Sequence, residues 1–208
     1  MTDTPTTGTE LLPEPARVGE RARAILVTVE DHPLYKRLTG GGMRYADCWA
    51  TFTGYPQVSE WSLEDDAGPL LTEALRVLAL KAAVYELTDG DEQAAELLCA
   101  APVDEMVHAV IAQHTIMTRM QNDLVVLFPH ATELERFDYE PGGYTDTCYQ
   151  EAGWGEPPRR YWIGGTEATR RLAILNQHYQ QAGLGRDGRS HNLTFTPADG
   201  EPELTPVG

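Results

Sequence analysis

Three things are scarce in this sequence: cysteine, positive charge and long apolar runs. Each shortage removes a class of protein. Among 208 residues there are 3 cysteines, Cys48, Cys99 and Cys148. That odd number, without a C-x-x-C spacing, indicates neither a disulfide framework nor a paired-cysteine zinc site. A chain of this length supports a hydrophobic core without such staples. No apolar stretch reaches the roughly 18 residues of a membrane span, and the opening MTDTPTTGTELLPEP lacks the basic and apolar parts of a secretion signal. The sequence therefore predicts a cytoplasmic chain with no membrane partner.

Basic residues number 16 against 32 acidic ones, for a net charge of -16. Such a surface repels phosphate backbones, so direct nucleic-acid binding is not expected. The acids are dispersed instead of gathered in a tail, which is the pattern of a solubility device. An acidic inhibitor that imitates DNA is kept as a further alternative.

Catalytic signatures are also missing. The chain contains no P-loop, no G-x-G-x-x-G, no G-x-S-x-G and no H-E-x-x-H. No catalytic residue is assigned on this basis, and no cofactor is predicted.

Helical periodicity is abundant. From Glu14, with Pro15 suited to a first helical position, Val18, Ala22, Ile25, Leu26 and Val29 recur on one face. Pro33 interrupts this helix, and the Gly40 to Gly42 run breaks regular structure. Met43 to Tyr55 reads as a helix, with Trp61 and Leu63 anchoring the connection to the next one. Ala67 to Thr88 is apolar over more than half its circumference, the mark of a helix packed on several sides. A short helix is expected from Glu92 to Ala100. Pro102 to Phe128 then reads as one long helix: Val103, Met106, Val110, Met117, Leu124 and Phe128 share an arc, while Asp104, Glu105, His108 and Arg119 lie opposite. Thr166 is placed as the cap of a final helix running to Gly183, with at most a short strand over Leu193 to Thr196.

The expected fold is therefore all-α: a single bundle-like helical domain over residues 14–183, with flexible termini at 1–13 and 184–208. Its core pairs the Ala67 to Thr88 helix with the Pro102 to Phe128 helix. Residues 130–165 form a long irregular aromatic-rich insertion.

Several side chains stand out from this pattern. Glu105 and His108 make an E-x-x-H, the i, i+3 pair that helical di-iron proteins use to aim two ligands at one metal. The chain has no second copy, so the sequence alone predicts a solvated helix face and no metal. His114 and Gln121 fall within the apolar arc of the long helix, and Lys81 falls among apolar residues on the Ala67 helix. Buried polar groups need partners, so these three are candidates for a pocket between the two central helices. The aromatic insertion supplies Tyr139, Tyr144, Tyr149, Trp154, Arg159, Arg160, Tyr161 and Trp162, residue types enriched at protein interfaces.

The functional expectation is a non-enzymatic, cytoplasmic interaction or accessory protein whose partner is another protein, bound through that segment. The competing reading of the rings is that they cover the protein's own core. The alternative function is a small-molecule binder or enzyme using the Lys81, His114 and Gln121 pocket.

Overall fold

The computed structural model describes residues 12–40, 63–131, 134, 138–181, 184–186 and 193–195. The expected lead-in before residue 12, the helix over Met43 to Tyr55, the Trp61 anchor and the last stretch of the tail lie outside the described residues.

Within them the protein is helical apart from two three-residue strands. Helix α1 is Pro15–Glu30, with Pro15 in its first turn and Val18, Gly19, Ala22, Ile25, Leu26 and Val29 buried along one face. A short helix α2 covers residues 35–40. Helix α3, Leu63–Leu87, is the central rod. It begins a turn before the expected Ala67 and holds Pro69 in its second turn, where the missing N–H removes one i→i−4 bond. From Leu70 to Val84 almost every side chain is buried, because α1 packs on one side of it and the next long helix on another.

The turn after α3 uses left-handed backbone at Asp89 and Gly90. Asp91 then caps α4, Glu92–Ala95, by accepting from the amides of Gln93 (2.8 Å) and Ala94 (3.0 Å). This helix was expected to run to Ala100. It stops at Ala95 because Glu96 turns out of helical geometry (ψ 73) and sends its carboxylate into the core.

The single long helix expected from Pro102 to Phe128 is two. Helix α5 is Ala101–Ile111 and α6 is His114–Leu124, separated at Ala112 and Gln113. Gln113 leaves helical geometry (ψ 45), and its buried amide donates to the carbonyl of Leu38 at 3.2 Å. That bond satisfies a core carbonyl with a side chain from the break itself. The pairing of the central helix with the first half, α5, is present. Val125 ends α6 in left-handed geometry (φ 54).

Residues 130–165 are not irregular throughout. Helix α7, Tyr144–Glu151, buries Thr145, Asp146, Cys148 and Tyr149. Two turns are too short for a readable period. It packs against α1, where Gly19 meets the backbone of Glu151 and Ala152. The last helix, α8, is Gly165–Gln181, so Thr166 lies inside it and does not cap it. The Glu140 carboxylate reaches the amide of Thr166 instead (3.4 Å). Strands β1 (Leu184–Arg186) and β2 (Leu193–Phe195) pair antiparallel, Leu184 opposite Phe195.

Candidate functional site

At the side of α3 facing α4 and α5, ammonium, carboxylate and imidazole side chains converge, from buried Lys81 out to a partly exposed His108. Lys81 is 0% exposed. A buried ammonium needs a compensating anion, and Glu96 supplies it: Lys81 Nζ donates to Glu96 Oε1. Lys81 Nζ also lies 3.2 Å from His130 Nδ1. The second oxygen, Glu96 Oε2, accepts from the amide of Ala131 at 3.1 Å. One carboxylate thus joins α3, the end of α4 and the segment after α6. Burial pushes the Glu96 carboxyl upward; the bonds from His130, Lys81 and the Ala131 amide outweigh it and hold the group at about 2. Glu96 is therefore anionic throughout the neutral range.

His130 carries this network toward α5. Its ring lies 4.7 Å from the His108 ring, tilted by 57°. His108 Nε2 is 3.8 Å from Asp104 Oδ2, and His108 Nδ1 is 3.6 Å from Glu105 Oε2. Asp104 is buried even though its position in the helical pattern is polar, and the Cys99 thiol lies 3.6 Å from its other oxygen. Burial pushes the Cys99 thiol well above its ordinary value, with the Asp104 charge adding to the effect, so Cys99 stays a thiol.

Asp104, His108 and His130 each offer one donor atom, and these atoms lie within 4.8 Å of one another. Two imidazoles and a carboxylate suit a borderline divalent ion such as Zn²⁺, which takes those ligands in tetrahedral geometry with a further position left for water. A ligating histidine is held by donating from its other ring nitrogen. At His130 Nδ1 the group that can accept is the Glu96 carboxylate, 3.7 Å away, since the Lys81 ammonium at 3.2 Å only donates.

Of the residues singled out from the sequence, Lys81, Glu105 and His108 belong to this cluster. His114 does not. The break at Gln113 makes it the first residue of α6, and it is exposed where the continuous helix would have buried it. Gln121 is half-buried, and its Oε1 accepts from the amide of Phe128 at 2.8 Å. Between α1, α3 and α6 there is a cavity of about 10 Å³ lined by Leu75, Leu78, Met117 and Met120 among others, room for about one water molecule. Neither Lys81 nor His114 lines it. Asp104, Glu96 and His130 were not singled out. Asp104 reads locally as an acid at a helix start, and the pairing of Lys81 with residues 15 and 49 positions away has no local signature.

The aromatic segment is largely internal. Tyr139, Tyr149, Tyr161 and Trp162 are buried, and Tyr144 and Trp154 are partly so. Three buried carboxylates anchor it. Glu73 accepts from Trp162 Nε1 (2.8 Å), from the Tyr149 hydroxyl (3.0 Å) and from Arg76 (2.8 Å). Asp66 accepts from Arg160 (2.7 and 3.0 Å) and from the Tyr161 hydroxyl (2.7 Å). Asp146 accepts from the Tyr139 hydroxyl (2.7 Å) and from Arg159. Tyr144 donates to the carbonyl of Pro13 (2.6 Å), and Trp154 packs edge-on against Tyr149.

No family model matches the chain, and no curated protein or solved structure matches it either. Among the described residues, no helix is long and apolar enough to cross a membrane.

Proposed function

We propose that this chain is a non-enzymatic accessory protein that binds one divalent transition-metal ion at Asp104, His108 and His130. The observation that carries this reading is the convergence of the three donors within 4.8 Å. Asp104 and Glu105 both adjoin His108, and the Lys81 ammonium beside His130 is neutralised by Glu96, which leaves a setting that favours a cation. His108 and Asp104, four residues apart on α5, face the same way, as an i, i+4 pair does.

The cytoplasmic location and a protein partner belong to the same proposal and rest on the sequence. A pocket binder between the central helices draws less support, since a cavity of about 10 Å³ admits no metabolite. The acidic-inhibitor alternative draws on net charge alone.

Isothermal titration calorimetry of the full chain with Zn²⁺, after EDTA treatment and removal of the chelator, tests the metal reading. About one ion per chain is expected, with binding lost in His108→Asn. That side chain is 35% exposed, so the fold should persist. Absence of binding with Zn²⁺, Co²⁺ and Ni²⁺ would end this reading.

A further inference from the structure

The three donors do not share one support. Asp104 and His108 stand on α5, whose backbone is fixed by its own helical bonds. His130 stands at the far end of the irregular stretch Val125–Ala131 that leaves α6. Three backbone amides tie that stretch down. The amide of Val126 donates to the Gln121 carbonyl (3.1 Å), that of Phe128 to Gln121 Oε1 (2.8 Å), and that of Ala131 to Glu96 Oε2 (3.1 Å). The stretch opens with a β-branched residue in left-handed backbone (φ 54, ψ 43), a conformation such residues rarely hold. Along it, Val125 is 87% exposed and Leu127 45% exposed.

An ion about 2.1 Å from each donor places tetrahedral donors about 3.4 Å apart. The donors here lie within 4.8 Å of one another, with Asp104 Oδ2 and His108 Nε2 3.8 Å apart, so seating an ion requires a closing movement of at most about 1.4 Å. The element with fewer internal bonds gives way more easily, and that element is the stretch carrying His130.

We infer that a divalent transition-metal ion acts as a clasp, binding Asp104 and His108 on α5 together with His130 and thereby fixing the Val125–Ala131 segment against the body of the protein. The inference rests on the proposed metal site and assigns the ion a regulatory task, control of how firmly one surface segment is held. Linkage sets the size of the effect. Opening that releases His130 leaves the ion only two donors, so at a free Zn²⁺ concentration 100 times Kd, opening is suppressed by up to about 100-fold.

Hydrogen exchange followed by mass spectrometry on the full chain tests this, with EDTA or with Zn²⁺ at 100 times the calorimetric Kd. Labelling times are kept short enough that α1 does not exchange in either condition. Exchange of the amides in 126–131 is expected to slow by up to about 100-fold with Zn²⁺ in wild type and to stay unchanged in His108→Asn. Calorimetric binding of Zn²⁺ with no change in this segment would overturn the clasp while leaving the metal site standing. Absence of calorimetric binding would remove the site and the clasp together.

Discussion

A Cβ on Gly19 would lie 2.5 Å from the backbone nitrogen of Ala152, so α1 and the end of α7 meet backbone to backbone. The obstruction is main chain, which cannot swing aside as a side chain can. Gly19→Ala should therefore cost about 1–3 kcal/mol from overpacking, despite the roughly 1 kcal/mol that alanine gains over glycine in a helix. Urea denaturation reads the difference. A variant as stable as the wild type would show that the two helices can part without cost.

The opposite sign is expected at Val125, which is 87% exposed and holds φ 54 at the end of α6. Glycine adopts that geometry without a Cβ clash, and little packing is lost with the side chain. Val125→Gly should raise stability by about 1 kcal/mol. A lower melting temperature in calorimetry would refute the expectation.

Lys81 and Glu96 are buried partners, and removing one leaves the other charge uncompensated. Lys81→Met should cost about 3–5 kcal/mol. The double variant Lys81→Met, Glu96→Gln removes both charges and should recover part of that loss. If the double variant were worse than the sum of the singles, the pairing would not be the source of the cost.

High pH should destabilise the protein through Tyr161 and Cys148. Burial, reinforced by the Asp66 carboxylate, pushes the Tyr161 hydroxyl up to about 12, and burial pushes the Cys148 thiol up to about 11. Both groups hold their protons more tightly when folded, so the unfolded chain releases them first. Their stabilisation is complete below about pH 9 and is lost as pH rises toward about 12. Urea midpoints followed across that window should fall, and Tyr161→Phe should fall less steeply from a lower starting value. Parallel curves for the two proteins would rule out Tyr161 as a contributor.

Much of the helical framework is legible from local patterns. Pro15 and the spacing from Val18 to Val29 mark α1, and the density of apolar residues from Leu70 to Val84 marks α3 as central. The break at Ala112 and Gln113 is not legible, since Met106, Val110 and Met117 keep apparent helical register across it. It is coupled to a bond from Gln113 to Leu38, 75 positions earlier. The E-x-x-H and Lys81 also draw attention in the sequence, yet the chemistry that joins them comes from Glu96 and His130. Those two residues lie in different parts of the chain, and only tertiary structure brings them to the same place.

The buried carboxylates differ in how much chain they close. Glu96 reaches back 15 positions to Lys81 and forward 35 to Ala131, whereas Glu73 waits 89 positions for Trp162 and Asp66 waits 95 for Tyr161. Shorter loops lose less entropy on closing, so contacts of low separation form earlier in time. During synthesis, every residue of the Lys81 cluster is joined to the chain before Trp162 is made. Until then Glu73 and Asp66 are without their aromatic donors. Sequence separation consequently orders the anchoring of the aromatic segment after the closing of the Lys81 cluster.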